Sequence, residues 1–165
     1  MAKEYRYETY ETPIGKIALI SDGSSILTLH IGEGAPQGCL HEEDRLLFKT
    51  IEEFNQYCAG QRTCFDIPVD PAGEEDEKEV LEFVSSHVPY GKLTTYESIA
   101  ERLGLSPERV EEILSSNACP ILVPCHRVVR RGGKLGSYVA DPALKKKLIN
   151  FERTRDISFL IAEEE

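Results

Sequence analysis

Residues 124–128 read Pro-Cys-His-Arg-Val, and they contain the residue types that a covalent reaction on sulfur needs. The thiolate, not the thiol, is the nucleophile, and a neighbouring base and nearby positive charge both favour it. Cys125 has His126 and Arg127 beside it in the sequence. An isolated cysteine is more often an inert buried residue, so the prediction of a reactive Cys125 depends on these two neighbours.

Two short helices are predicted upstream of this string, at 95–116. Thr94 and Glu97 stand at the spacing of a capping box, which predicts the start of the first helix. Gly104 predicts its end, and Ser106 followed by Pro107 predicts the start of the second helix. Such a pair, joined by a tight turn with glycine, is typical of a helix-turn-helix, although many helix pairs in ordinary cores look the same.

The segment that follows Cys125 is basic. Residues 130–134 read Arg-Arg-Gly-Gly-Lys between apolar residues, which predicts a basic hairpin. Asp141 and Pro142 predict the start of a last helix with an apolar inner face. A helix pair followed by a basic hairpin suggests a winged-helix DNA-binding domain.

The N-terminal part predicts a different unit, because strand signals dominate it. The predicted strands cover 5–12, 16–20 and 26–31, and a loop, a helix and an extended segment follow at 32–41, 47–58 and 64–69. Pro71-Ala72-Gly73 reads as a linker. We therefore predict an α/β protein of two domains, at 1–72 and 73–165.

The chain has 165 residues, of which 41% are apolar and 29% charged, as in an ordinary globular protein. It has no apolar run of membrane-spanning length, no apolar signal core at its start, and five scattered cysteines that form no disulfide framework. These features predict a cytoplasmic protein.

A net charge of −10 argues against binding to nucleic acid, but residues 122–156 hold nine basic side chains and only three acidic ones. Such a segment can bind phosphates or can be a solvated surface.

The sequence as a whole resembles the O6-alkylguanine-DNA alkyltransferases, and Pro-Cys-His-Arg-Val is the active-site signature of that family. The resemblance covers nearly the whole chain. The other matching segments are Thr12-Pro13-Ile14-Gly15, Tyr57-x-Ala59-Gly60, Phe65-Asp66-Ile67-Pro68-Val69, Val88-Pro89-Tyr90-Gly91 with Thr95-Tyr96, Asn117 with Pro120-Ile121-Leu122-Val123, Gly133-x-Leu135-Gly136-x-Tyr138, and Lys145-x-x-Leu148-x-x-x-Glu152.

The resemblance implies a ribonuclease-H-like N-terminal domain followed by a helix-turn-helix domain with a wing. It implies repair of double-stranded DNA that contains O6-alkylguanine. The damaged guanine is flipped out of the duplex, as chemistry on a stacked base requires. The cysteine then takes the alkyl group irreversibly, so each molecule reacts once. The family needs no cofactor for the transfer, and a monomer is expected.

The resemblance also implies a role for each residue of the active site. Cys125 would accept the alkyl group, His126 would remove its proton through water, and Glu152 would orient His126. Asn117 would brace the turn that holds the cysteine, and Tyr96 would donate a hydrogen bond as the guanine leaves. A displacement from a poor electrophile needs these parts.

A second set of residues is expected to bind substrate and DNA. Tyr138 and the backbone at Val139 would form the lip of the base pocket. Arg127 and Lys145 are expected to contact DNA, and Lys145 opens a run of three lysines that could follow phosphates or be plainly solvated. Arg109 is the candidate for the side chain that fills the gap left by the flipped base.

The recognition helix departs from the family pattern. Where the family has Arg-Ala-Val-Gly, this chain reads Glu108-Arg109-Val110-Glu111, so the arginine is displaced by one residue. One step along a helix rotates a side chain by about 100°, which disfavours Arg109 in the family's role. Unpaired, the acids Glu108, Glu111 and Glu112 would weaken binding to phosphates.

Two other functions stay open at this point. A sensor of alkylated or distorted DNA would bind without transfer, although the family's non-catalytic branch has lost the cysteine that this chain keeps. A winged-helix regulator of transcription would have no need of a relay from His126 to Glu152.

Three residues of the N-terminal part are potential zinc ligands, namely His30, Cys39 and His41. Their spacing fits no standard zinc pattern, so we predict no metal site.

Overall fold

The computed structural model describes residues 4–70 and 73–161, and its N-terminal part contains a sheet of four strands. The strands are β1 (Arg6–Thr12), β2 (Gly15–Ser21), β3 (Ile26–Ile31) and β4 (Leu40–His41). Their order is β3-β2-β1-β4, and all pairs are antiparallel except β1–β4. The three predicted strands are confirmed. β4 lies in the segment predicted as a loop. The sequence did not predict this strand, because two exposed residues carry no alternating pattern.

Helix α1 (Arg45–Cys58) packs against this sheet. The carboxylate of Asp44 accepts a hydrogen bond from the Leu47 amide at 2.7 Å and caps the helix. One face of α1 is buried with the inner residues of β2 and β3, and these buried residues include Leu47, Phe54, Tyr57, Ile17, Leu19 and Leu29. The helix begins at Arg45 rather than at residue 47, because the capping residue and not the first apolar residue sets its start.

The extended segment at 64–69 forms only an isolated bridge to β3. Val69 pairs with Ile26, the amide of Ile26 donates to the Pro68 carbonyl at 2.8 Å, and the amide of Asp70 donates to the Ile26 carbonyl at 2.9 Å. Pro68 has no amide hydrogen to extend the ladder. The segment is therefore extended, as predicted, and does not continue as a full strand of the sheet.

The C-terminal part is mainly helical. It contains α2 (Glu75–His87), α3 (Tyr96–Leu103), α4 (Pro107–Ser115) and α5 (Pro142–Thr154), with 3-10 helices at Cys125–Arg127 and Ile157–Phe159. Two short strands, β5 (Thr94–Thr95) and β6 (Val128–Val129), form a parallel pair. Within 4–70 and 73–161, no helix combines the length and the apolar character that crossing a membrane requires.

The predicted helix-turn-helix is present as α3 and α4. Ser106 caps α4 as predicted, by accepting from the Arg109 amide at 3.1 Å, and Gly104 ends α3 with a φ of 72°. The predicted capping box at Thr94 is wrong by one residue, because the hydroxyl of Thr95 accepts from the Ser98 amide at 3.0 Å. Thr94 belongs instead to β5.

The predicted basic hairpin is a tight turn. The Arg130 amide donates to the Lys134 carbonyl at 2.8 Å, and the Gly133 amide donates to the Arg130 carbonyl at 3.1 Å. The strand residues before the turn pair with β5 and not with residues that follow it. The basic turn, defined as residues 130–134, is thus exposed without a second strand.

The two halves of the chain share polar contacts as well as a core. The Leu29 amide in β3 donates to the Ala118 carbonyl at 2.8 Å, and the Tyr57 hydroxyl in α1 donates to Glu152 in α5 at 2.6 Å. The predicted domain boundary between 72 and 73 adjoins residues 71–72, which lie outside the described residues.

The cap of α5 can be tested by substitution. Asp141 precedes the helix and accepts from the Ala143 amide at 2.9 Å. We expect Asp141→Ala to lower the free energy of unfolding by about 1 kcal/mol in urea denaturation, because an N-terminal amide loses its partner. The control is Lys146→Ala on the exposed face of α5, which should change it by less than about 0.5 kcal/mol. Equal effects of the two substitutions would contradict the assigned cap.

Candidate active site

The loop before Cys125 has a strained backbone that one buried side chain holds. Ile121 has a φ of 74°, a left-handed conformation that a β-branched residue rarely adopts. Asn117 Nδ2 donates to the Val123 carbonyl at 3.1 Å, and Asn117 Oδ1 accepts from the Cys119 amide at 3.0 Å. Asn117 therefore fastens the loop at two points, and the backbone that leads to Cys125 has a fixed path.

Cys125 is the first residue of a 3-10 helix and is only 3% exposed. Burial raises the pKa of its thiol to about 11, against the opposing effects of a hydrogen bond with Asn117 and the positive charge of Lys145. The positive charge that favours the thiolate comes from Lys145. It does not come from the expected Arg127, whose guanidinium donates to Glu152. Ionisation of this buried thiol therefore needs a base that takes the proton directly or through one water.

The carboxylate of Glu152 is the centre of the polar contacts below the cysteine, and it is almost completely buried. Its Oε2 accepts from the Tyr57 hydroxyl at 2.6 Å and lies 2.7 Å from His126 Nε2. Arg127 donates Nε to Oε1 at 2.8 Å and Nη2 to Oε2 at 3.1 Å. Burial acts to raise the pKa of Glu152, but electrostatic attraction to His126 and Arg127 and the hydrogen bonds with them hold it well below its ordinary value.

His126 is fully buried, and its two ring nitrogens differ in their surroundings. Nε2 faces the ionised carboxylate of Glu152, so this nitrogen carries the ring proton. Nδ1 is buried and has no hydrogen-bond partner among the residues that the structure describes. The arrangement leaves Nδ1 as the ring nitrogen without a partner, one residue along the chain from Cys125.

A second buried polar group is centred on Lys145 in α5. Its Nζ donates to the Tyr96 hydroxyl and to the Ser137 carbonyl, both at 3.0 Å, and also to the Leu135 carbonyl. Burial lowers the pKa of Lys145 to about 8. This side chain is fully buried, so Lys145 does not reach the protein surface, and its predicted role in binding substrate or DNA stays a prediction. Lys146 is the member of the lysine run that is exposed.

Residues 136–140 run past Tyr96, and we call them the lip. Gly136 has a φ of 75°, and a Cβ there would lie 2.6 Å from the Tyr96 ring, so only glycine fits. Burial and the proximity of Cys125 raise the pKa of Tyr138 well above its ordinary value. Val139 is exposed. The lip thus places one tyrosine near the sulfur and the next residue at the surface.

Two arginines that were expected to contact DNA are engaged in hydrogen bonds within the protein. Arg127 is 8% exposed, and its Nη1 donates to the Val88 carbonyl at 2.8 Å in addition to its bonds with Glu152. Arg127 therefore faces the interior, and its predicted role in binding substrate or DNA stays a prediction. Arg109 donates Nε to Asp76 at 2.8 Å and Nη1 to Glu112 at 2.6 Å. Arg109 fastens α4 to α2 and is not directed as a free side chain toward a base stack.

The potential zinc ligands have separate partners. His41 Nε2 lies 3.0 Å from Glu8 and its ring stacks on Tyr7, whereas His30 Nε2 lies 3.2 Å from the Glu33 carbonyl. Among the described residues, the one cluster with metal-ligand geometry consists of Glu74, Asp76 and Glu77, and it does not contain these histidines or Cys39. Asp76 and Glu77 pair with Arg109.

Two residues of the site were missed at the level of sequence. Tyr57 lies next to the apolar stripe of α1 and reads as a core residue, although a buried tyrosine hydroxyl needs a partner and this requirement is the signal. Glu111 reads as an acid that opposes phosphate binding. It instead bonds Arg130 and Ser137, and no local pattern in the sequence indicates either contact.

Together, this fold and site define a helix-turn-helix protein built around a buried cysteine, histidine and glutamate. Residues 5–71 match the family model described as 6-O-methylguanine DNA methyltransferase, ribonuclease-like domain, and residues 75–154 match the one described as 6-O-methylguanine DNA methyltransferase, DNA binding domain. The chain belongs to the family of methylated-DNA–protein-cysteine methyltransferases. The predicted α/β class, with a ribonuclease-like domain before a DNA-binding domain, is confirmed.

Individual relatives agree with this assignment. The methylated-DNA–protein-cysteine methyltransferase of Metallosphaera sedula is 37% identical over 149 residues, which cover 89% of this chain and 92% of the relative. The protein of the same name from Mycobacterium bovis is 30% identical over 154 residues, covering 90% and 93%. The crystal structure of Mycobacterium tuberculosis OGT in complex with DNA has a TM-score of 0.85 at 28% identity, covering 94% of this chain and 98% of that one.

The ionisation of Glu152 predicts a pH-dependent stability. We expect Glu152→Gln to lower the free energy of unfolding at pH 7 by about 3–5 kcal/mol, because buried Arg127 loses its counter-charge. The pKa of Glu152 is depressed in the folded state, so the stability it contributes is present above the ordinary value of 4.5 and is lost as the pH falls. The difference between wild type and variant should therefore shrink by about 1.4 kcal/mol per pH unit below pH 4.

Urea denaturation between pH 7 and pH 3 measures this difference. Glu101→Gln, on the exposed face of α3, is the matched control and should differ little from wild type at every pH. A Glu152→Gln difference that stays constant across this range would contradict an ionised Glu152.

Proposed function

We propose that this protein repairs DNA by transferring the alkyl group of an O6-alkylguanine in double-stranded DNA to Cys125, once per molecule. The observation that carries the proposal is the buried His126, whose Nε2 is held 2.7 Å from Glu152 while Nδ1 has no partner in the described part of the chain. A base of this kind beside a thiol can take the thiol proton without help from a metal or cofactor. The names of the relatives support the same reaction.

The first step is removal of the thiol proton. His126 Nδ1 takes the proton of Cys125 through one water, and the imidazolium that forms is stabilised by the ionised carboxylate of Glu152. Glu152 does not accept this proton, since its pKa lies well below its ordinary value. The positive charge of Lys145 favours the thiolate for as long as it exists. Asn117 keeps the loop in place during the transfer of the proton.

The second step is displacement at the alkyl carbon. The thiolate attacks this carbon in line, the bond from carbon to sulfur forms, and the bond from carbon to O6 breaks with its electron pair passing to guanine. The Tyr96 hydroxyl turns its proton from the Ser137 carbonyl to the departing base and donates a hydrogen bond where negative charge develops. Burial and nearby acids keep the pKa of Tyr96 above its ordinary value, so the hydroxyl remains a donor. The product is a thioether, which does not regenerate the thiol.

The buried position of Cys125 requires the damaged base to leave the duplex before it reacts. Tyr138 and Val139 are the residues of the lip that receive it, and the helix-turn-helix binds the duplex. Since Arg109, Arg127 and Lys145 are engaged within the protein, phosphate contacts come from exposed cations, which include Arg131, Lys134 and Lys146. The proposed state is a monomer in the cytoplasm, where free thiols persist.

The reaction can be observed by mass. We expect incubation with a duplex oligonucleotide that contains one O6-methylguanine to add a single methyl group to the Cys125 peptide, because the sulfur keeps the group. Digestion and mass spectrometry of the protein measure this gain. Cys125→Ser should bind the same duplex without reacting, and Cys64→Ser, at an exposed cysteine, should react like wild type.

The other outcomes separate the competing functions. Tight binding of the methylated duplex without a gain in mass would contradict transfer and would support a sensor of damaged DNA. Preference for one undamaged sequence over the methylated duplex would support a regulator of transcription. A methyl group found on any other cysteine would contradict the role of Cys125.

A further inference from the structure

We infer that Glu111 is a positioning residue of this site. Its carboxylate links the recognition helix α4 to the lip beside Cys125 and to the basic turn. This inference rests on the proposed function, because it concerns the rate of the same transfer. Glu111 is one of the acids that would weaken DNA binding if it were unpaired. Its contacts give it a different task.

The first contact joins α4 to the lip. The Oε2 atom of Glu111 accepts a hydrogen bond from the Ser137 amide at 3.0 Å and another from the Ser137 hydroxyl. Bonds from neutral donors to a carboxylate are stronger than bonds between neutral groups. Glu111 lies 26 residues before Ser137 in the chain, so this contact fixes the lip on the helix independently of the local backbone.

The second contact joins α4 to the basic turn. Arg130 donates Nη2 to Glu111 Oε2 at 2.9 Å and Nε to Oε1 at 3.2 Å, which is a two-point ion pair. Only 18% of the Glu111 side chain is exposed. The hydrogen bond with Arg130, followed by those with Ser137, lowers the pKa of Glu111 to about 2. The carboxylate is ionised at any pH at which the protein acts, and its charge is already neutralised before DNA arrives.

Ser137 carries the connection to the reacting groups. Its carbonyl accepts from Lys145 Nζ at 3.0 Å and from the Tyr96 hydroxyl at 3.3 Å. The serine is therefore held from α4 through its amide and from the interior through its carbonyl. At the preceding residue, Gly136 packs against Tyr96 without space for a Cβ, so a shift of the lip displaces Tyr96. A displacement of about 1 Å at a reacting group can slow a reaction about 100-fold.

The consequence is a split between binding and rate. In Glu111→Ala, an acid is lost from a DNA-binding helix, so affinity for DNA should not weaken. The lip loses its attachment, so Tyr96 and Tyr138 are less well placed, and the rate constant of methyl transfer in the bound complex should fall about 10- to 100-fold. The final amount of methylated protein should equal that of wild type, because the nucleophile is intact.

The experiment measures single-turnover methyl transfer at a saturating concentration of the methylated duplex, together with the dissociation constant in the same salt. Glu112→Gln is the matched control, since it removes one acid from the next position of α4, where the side chain is 71% exposed and pairs with Arg109. Its transfer rate should match wild type within about two-fold. Glu111→Gln retains an oxygen that accepts from Ser137, so it should recover most of the rate lost in Glu111→Ala.

Two variants keep the test decisive if Glu111→Ala does not fold. Ser137→Ala removes one donor to Glu111 and should slow methyl transfer without weakening DNA binding. The transfer rate constant of Glu111→Gln should lie between that of Ser137→Ala and that of wild type. Glu111→Ala transferring at the wild-type rate, or Glu112→Gln slowing the reaction as much, would overturn the positioning role alone. A wild-type protein that transfers no methyl group would overturn the proposed function.

Discussion

The buried carboxylate of Glu152 is the interaction on which the rest of the site depends. A charge taken out of water is tolerated only when hydrogen bonds and counter-charges surround it. Tyr57 from the sheet domain, His126 and Arg127 supply those contacts, at 2.6–3.1 Å. The requirement to satisfy one anion therefore fixes the contact between the two halves of the chain, the 3-10 helix that contains the cysteine, and the orientation of the imidazole.

The same burial that makes Glu152 demanding also controls the nucleophile. It raises the pKa of the Cys125 thiol to about 11, so the sulfur stays protonated until a base takes the proton, which is the role we propose for His126. A thiol of this kind is spared from incidental reaction, which suits a protein that is used once. Lys145 acts on both the nucleophile and the substrate side of the site. Its charge favours the thiolate, and its hydrogen bonds hold Tyr96 and the lip. Its burial is what makes both effects strong.

Short-range signals made much of this fold predictable. The three strands, the caps at Ser106 and Asp141 and the helix-turn-helix depend on patterns within a few residues of the chain. The motif at Cys125 identified the family, and the meeting of His126 with Glu152 followed from the resemblance. Local patterns did not reveal the partners of Arg127, Arg109 and Lys145, because cations are mostly exposed and only the folded chain decides which carboxylate or carbonyl they meet. Glu111 was missed for the same reason.

The central claim is that Glu152 holds His126 with its proton on Nε2, so that Nδ1 is free to act as the base. The ¹⁵N NMR chemical shifts of the His126 ring at neutral pH test this claim most directly, with the assignment made by comparison with Glu152→Gln. The account predicts that the ring carries its proton on Nε2 and none on Nδ1. A proton on Nδ1 at that pH, either in the other tautomer or in an imidazolium, would contradict it.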